Sequence, residues 1–297
     1  MEKQNTPLAF MACDADYAHA DTVLVGAPFD GTSSYRPGSR FAPNAIRMES
    51  FGIETYSPYL KRELEEISVF DAGDMELPFG STEKALEIIE ESISEIISGG
   101  KLPFMIGGEH LVTLGAVRAA AKKHKGLKII HFDAHADLRD DYMGEKLSHA
   151  TVIRRCAELL DDKSVYQFGI RSMTKEEDLW AEEHTIQNKY DTKGFSEAIE
   201  AIGDAPVYLT IDLDVLDPSI FPGTGTPEPG GISFTELISA VHKMRGINLV
   251  ACDVNELSPH YDQSGVSTVT ACKVIRELLL TIANQNHRLS RWYDLAL

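Results

Sequence analysis

Apolar positions along the chain fall into two kinds of run. Short runs rich in β-branched residues, apolar at odd and even positions alike, open at Thr22 ("TVLVGAP"), Ile67 ("ISVFDAG"), Leu102 ("LPFMIGG") and Leu127 ("LKIIHFDAH"). They continue at Val165 ("VYQFGI"), Pro206 ("PVYLTIDLD") and Asn248 ("NLVACDVNE"). Strands apolar on both parities are covered on both faces, the condition of a parallel sheet. The runs between them have helical spacing. Residues 81–98 place Ala85, Leu86, Ile89, Ile93, Ile96 and Ile97 on one stripe, and Gly99-Gly100 stops it. Further helices are predicted to begin near Pro43, Leu111, His149, Lys175, Ser233 and Val266. Strand–helix alternation over the whole length predicts one α/β domain, residues 1–297, with helices on both sheet faces. There is no linker, repeat or low-complexity tract. The Pro/Gly-rich segment 217–231, "DPSIFPGTGTPEPGG", is long enough to be a functional loop.

Against this apolar background the polar residues at strand ends form a second pattern. "GGEH" (107–110), "DAHAD" (133–137), "DLD" (212–214) and "DVNE" (253–256) each close a predicted strand. In open parallel sheets that carboxyl edge is where ligands bind. Asp133, His135 and Asp137 follow a hydrophobic strand directly, although burying even one carboxylate costs several kcal/mol unless something compensates it. The six residues His110, Asp133, His135, Asp137, Asp212 and Asp214 are therefore read as metal ligands. Four carboxylates and two imidazoles gathered together need cations, because like charges oppose ionisation. Six ligands exceed what one catalytic ion takes and suit two ions about 3.5–4 Å apart. Four carboxylates also balance two dications. Hard oxygen with some nitrogen and no sulfur favours Mn²⁺ over Fe²⁺, Co²⁺ or Mg²⁺, with a structural zinc least suited. Asp212 and Asp214, two apart, are expected to point the same way from an extended strand. Ala134 and Ala136 would let the backbone curl, and Gly107 and Gly108 would permit close approach before His110. The bland readings are a turn or helix cap for Asp-x-Asp, a satisfied core histidine for His110, and a supporting role for Glu109.

Composition narrows the picture. The net charge of −18 disfavours nucleic acid and anionic membranes and suits a cationic small molecule. No apolar run reaches transmembrane length, and the opening "MEKQNTPLAF" lacks a signal-peptide layout. Cys13, Cys156, Cys252 and Cys272 form no CxxC pair and read as buried free thiols of a cytoplasmic protein.

"IGGEH", "FDAHADLR" and "TIDLDVLDPSIFPGTGTPEPGG" together resemble the three signature segments of the ureohydrolase family of arginases and agmatinases. The likeness runs nearly end to end, from "GAPFDGTSSYRPGSRFAPNAIR" to "DVNELSP". The resemblance implies a three-layer α/β/α, arginase-like fold around a mainly parallel sheet of about eight strands, assembled as a homotrimer or homohexamer. It implies two Mn²⁺ per subunit, one held by His110, Asp133, Asp137 and Asp212, the other by Asp133, His135, Asp212 and Asp214. It also implies the chemistry: a hydroxide bridging the ions attacks a guanidinium carbon, giving urea and a primary amine. In that scheme Asp137 orients the hydroxide, Glu256 grips the guanidinium nitrogens, and His149 shuttles a proton to the leaving amine. The bland reading of His149 is a helix-start residue with a capping role.

Arginases carry an Asn two places after the last Asp of DAHxD and a Gly-Asn-Leu-His-Gly segment, both serving arginine's α-groups. Here Arg139 and "EKLSHA" stand in those places, so the chain departs from arginase and is similar to bacterial agmatinases, which convert agmatine to putrescine and urea. Glu145, Glu176 and Glu177 are candidates for the agmatine amine, although each also reads as a solvated surface charge. Arg139 is expected in an ion pair with Asp140, Asp141 or a neighbouring subunit; facing the pocket, it would favour 4-guanidinobutyrate instead. Rival readings are a dinuclear phosphoesterase, a one-ion deacetylase-like amidohydrolase and a non-catalytic metal-binding protein. "GTGTPEPGG" lacks the GK[ST] ending of a phosphate loop. About two metal equivalents per chain, against one, would separate the amidohydrolase.

Overall fold

All seven predicted strands lie in one parallel sheet. The structure, a computed structural model, describes residues 8–283. The chain forms strands β1 (Thr22–Ala27), β2 (Tyr56–Ser57), β3 (Arg62–Glu63), β4 (Val69–Asp74), β5 (Leu102–Gly107), β6 (Lys128–Phe132), β7 (Val165–Ile170), β8 (Ile186–Lys189), β9 (Val207–Asp212) and β10 (Leu249–Asn255). Its helices are α1 (Ala42–Glu49), α2 (Thr82–Ser98), α3 (Val112–Lys123), α4 (Val152–Ala157), α5 (Lys175–His184), α6 (Phe195–Ile202), α7 (Phe234–Lys243) and α8 (Val266–Ile282). Strands β2 and β3 make a small hairpin, and the other eight pair in the order β4-β1-β5-β10-β9-β6-β7-β8. The eighth, β8, has no double-sided apolar run, because at the sheet's edge its residues stay partly exposed.

Each central strand serves two cores. On one face Leu24, Phe104, Ile130, Leu209 and Val254 pack with α1, α6, α7 and α8. On the other, Val23, Met105, Ile129, Tyr208 and Ala251 pack with α2, α3, α4 and α5. The result is the three-layer α/β/α architecture, with the four cysteines free and buried. No helix among the described residues is long and apolar enough to cross a membrane.

The topology creates the crevice. From β5 the chain passes to β6 across a gap that β9 and β10 fill later, so β5, β10, β9 and β6 lie side by side. Their carboxyl ends carry the four polar motifs. Glycine is required where β5 ends: a Cβ at Gly107 would run into the Asn255 amide, and one at Gly108 into the Phe29 carbonyl.

Beside the sheet edge Arg47 is wholly buried, donating to Asp71 at 2.8 Å from Nε and 3.0 Å from Nη2, and to Asp74 from Nη1. Arg47→Met would strand the buried Asp71 carboxylate. Stability measured by urea unfolding is expected to fall by about 3–5 kcal/mol.

Candidate metal centre and active site

The segment after β6 makes the centre. Ala134 and Ala136 are fully buried. Asp137 turns back with a positive φ of 54°, and its carbonyl accepts from Ile153 and Arg154, both at 3.1 Å. This curl brings Asp133, His135 and Asp137 towards the ends of β5 and β9. Asp214 arrives by a different route from the one expected. The strand stops at Asp212, and Leu213–Val215 form a short 3-10 turn capped by the Asp212 carboxylate, which accepts from the Asp214 N–H at 2.8 Å. The two aspartates therefore do not project from one extended strand. The turn instead sets Asp214 Oδ1 to accept the Ala134 N–H at 3.1 Å, with Oδ2 3.0 Å from His135 Nδ1.

His110 faces the same point from β5. Its Nε2 lies 2.9 Å from Thr210 Oγ1, which fixes the ring. Its Nδ1 lies 3.1 Å from Asp133 Oδ2, 3.1 Å from Asp137 Oδ2 and 3.5 Å from Asp212 Oδ2. Yet this buried nitrogen has hydrogen-bond geometry with none of them. A buried donor atom aimed at three carboxylates and bonded to none fits a shared cation. Asp133 also lies 3.5 Å from His135 Nδ1, and the ligand atoms of Asp133, His135 and Asp214 lie within 4.8 Å of one another. The oxygen and nitrogen donors thus fit hard divalent ions.

The electrostatics agree. Burial pushes the Asp137 carboxyl up to about 7, and the neighbouring Asp133 charge adds to it. Burial likewise raises Asp212 well above the usual carboxylate range, helped by Asp214 and Asp133. Cations relieve both penalties, removing the repulsion and replacing the lost solvation.

One neighbour was hidden in the sequence. His131, inside the apolar run of β6, places Nε2 2.8 Å from Asp133 Oδ2. The Gln167 amide donates to its Nδ1 at 3.0 Å and to the Ala136 carbonyl at 2.9 Å, so Nε2 carries the proton towards Asp133. The only signal was its spacing: His131 stands two residues before Asp133 on the same strand face.

A cleft of about 230 Å³ opens beside the centre, lined by His135, Asp137, Asp212, Glu256, His149, Tyr142, Arg139 and Glu177 among others. Glu256 reaches it from beyond β10 with a positive φ of 66°, and its Oε1 accepts the His110 N–H at 2.7 Å. At His149 the helical cap is supplied by Ser148, whose hydroxyl accepts from Ala150 N–H at 3.3 Å. The His149 ring is left to the cleft, with Nε2 3.2 Å from Ser34 Oγ and the Tyr142 ring edge-on at 5.8 Å. Burial lowers the His149 pKa to about 4, so the imidazole is neutral near pH 7.

Two sequence expectations at the outer wall are corrected. Arg139 does line the cleft, and its partner is Glu177, with Nε 3.8 Å from Oε2, while its guanidinium lies 4.9 Å from the Tyr142 ring centre. Asp140 is instead taken by Arg155 at 2.8 Å, and Asp141 accepts from the Gly144 N–H at 3.0 Å. Glu177 is not a solvated charge: it is buried, accepting from Leu138 N–H at 2.9 Å and from Thr174 N–H at 2.8 Å. It caps α5 and simultaneously ties that helix to the curl after Asp137. Glu145 and Glu176 are exposed.

A family model described as the arginase family matches residues 20–281. An agmatinase of Bacillus subtilis (strain 168) is 48% identical over 275 residues, which span 91% of this chain and 95% of that protein. A guanidinobutyrase of Pseudomonas aeruginosa is 35% identical over 275 residues, 88% of this chain and 86% of that protein. The crystal structure of a Clostridium difficile protein aligns with a TM-score of 0.88 at 48% identity, covering 90% of this chain and 99% of that one.

Proposed function

The chain belongs to the arginase family, and from that premise we propose that it hydrolyses the guanidino group of agmatine to urea and putrescine with two Mn²⁺ ions. The observation that carries this reading is the buried His110 Nδ1 facing Asp133, Asp137 and Asp212 at the foot of an acidic cleft. His110, Asp133, Asp137 and Asp212 would hold one ion, and Asp133, His135, Asp212 and Asp214 the other. When bound, such a pair supplies a nucleophile by lowering the pKa of water towards neutrality.

The chain's own residues do the rest. Glu256, anchored by the His110 N–H, presents a carboxylate to the guanidinium N–H groups, a charge-assisted contact that fixes direction as well as affinity. Asp137 would orient the attacking water by hydrogen bonding. His149, neutral at rest, takes a proton from water in the cleft and passes it to the departing nitrogen as the C–N bond breaks, so the product leaves as an amine rather than an amide anion.

The substrate tail turns on Arg139. Its pairing with buried Glu177 compensates its charge, so the cleft stays negative overall and accepts a cationic tail. The similarity to the B. subtilis agmatinase supports the same choice. A second reading, 4-guanidinobutyrate, is favoured by Arg139 lining the cleft and by the similarity to a guanidinobutyrase. Urea release from agmatine, L-arginine and 4-guanidinobutyrate by the Mn²⁺-loaded protein separates them. Agmatine is expected to be turned over at least tenfold faster than either, and Arg139→Ala should leave that order intact. Preference for 4-guanidinobutyrate, lost in Arg139→Ala, would assign Arg139 to an anionic tail. Urea from none of the three would overturn the ureohydrolase reading.

A further inference from the structure

Glu109, beside His110, is fully buried, and its carboxylate meets the loop that follows β1. Its backbone N–H donates to the Phe29 carbonyl at 2.7 Å. Its carboxylate accepts three bonds from that loop: Thr32 N–H at 2.9 Å, Thr32 Oγ–H at 2.5 Å and Ser33 Oγ–H at 3.2 Å. A hydroxyl has one proton, and Thr32 spends its proton on Glu109. The remaining lone pairs are thereby aimed, and one accepts the His149 N–H at 3.0 Å. Two residues on, Ser34 Oγ lies 3.2 Å from His149 Nε2, while Ser148 Oγ lies 3.3 Å from Nδ1. A continuous run of hydrogen bonds thus joins Glu109, the residue next to His110, to the backbone of His149, while Ser34 of the same loop meets its ring.

We propose that Thr32, anchored by Glu109, is a positioning residue that sets the place of the His149 imidazole over the cleft. The inference rests on the reading of His149 as the proton carrier. It explains why a carboxylate is buried here: an acceptor of several bonds orients both loop hydroxyls at once and so fixes the direction of the Thr32 lone pairs. Proton transfer needs its donor within hydrogen-bond reach, so a small displacement of the ring lowers the rate without weakening guanidine binding.

The test compares Thr32→Val, which keeps the shape and loses the hydroxyl, with Thr32→Ser, which keeps the hydroxyl, each in the Mn²⁺-loaded protein. Thr32→Val is expected to lower kcat for agmatine about tenfold, with KM within twofold and bound Mn²⁺ unchanged; Thr32→Ser should stay within twofold of the parent. Hydrogen–deuterium exchange of residues 144–151 should quicken in Thr32→Val only, a readout independent of turnover. In a His149→Asn background, Thr32→Val should cost nothing further. A loss that persists there, or a failure of Thr32→Ser to restore kcat, overturns the inference alone. Full kcat in His149→Asn overturns the proton-carrier reading and the inference with it. Should Thr32→Val fold poorly, Ser34→Ala, which removes the Nε2 contact, is expected to lower kcat about threefold with unchanged KM, and an unchanged kcat would count against the proposal.

Discussion

Asp133→Ala is expected to reduce bound Mn²⁺ from about two equivalents to less than one and to lower urea release by at least about 10³-fold. Asp133 is wholly buried and stands where the ligand groups meet. His110 Nδ1 lies 3.1 Å away, His131 Nε2 2.8 Å and His135 Nδ1 3.5 Å. It belongs both to the cluster with His110 and His131 and to the cluster with His135 and Asp214. On the proposed assignment, removing it would take a ligand from each ion and a quarter of the four negative charges that balance them. The carboxylates that remain keep their burial penalty and lose the cations that offset it. Metal analysis beside a urea assay checks the outcome. Two equivalents retained with full turnover would refute the shared-ligand role.

Glu256→Gln separates binding of substrate from binding of metal. The glutamine keeps an amide oxygen to accept the His110 N–H, so the metal complement is expected to stay at about two equivalents. What changes is the charge and one acceptor, since an NH₂ group cannot accept from a guanidinium. Hydrogen bonds to charged groups contribute about 1.5–3 kcal/mol, which corresponds to a rise in KM for agmatine of about 10–150-fold. Competitive inhibition by guanidinium chloride should weaken in parallel. Unchanged affinity for both would remove Glu256 from the substrate contact.

Much of the sheet was legible because a buried parallel strand is apolar on both parities, and seven such runs stood out. Strand β8, "IQNK", escaped because an edge strand needs one covered face at most. Helix α6 was not among the predicted helices, its apolar set Phe195, Ala198, Ile199 and Ile202 standing in a short segment between two strands. At the centre, residue type and strand-end position singled out the acidic and imidazole groups. Geometry supplied what they could not. His131 was not singled out, because it sits within an apolar strand, and only the fold turns its Nε2 to Asp133. The 3-10 turn after Asp212 depends on a cap that a strand pattern does not encode. Glu177 looked like any first-turn glutamate, whereas its burial follows from a tertiary bond to Leu138 N–H. Arg139 was readable as awkward, but its partner was set by that same buried carboxylate.

The placement of β10 between β5 and β9 has a consequence for synthesis of the chain. His110 and the aspartates after β6 belong to sheet segments that β9 and β10 join, and β10 is the last strand among the described residues to leave the ribosome. A nascent chain halted before residue 249 has β5 and β9 with facing edges and nothing between them, open to pairing with other chains. On the proposed ligand assignment, the site is complete only once β10 has inserted and brought His110 and the aspartates after β6 to their final separation.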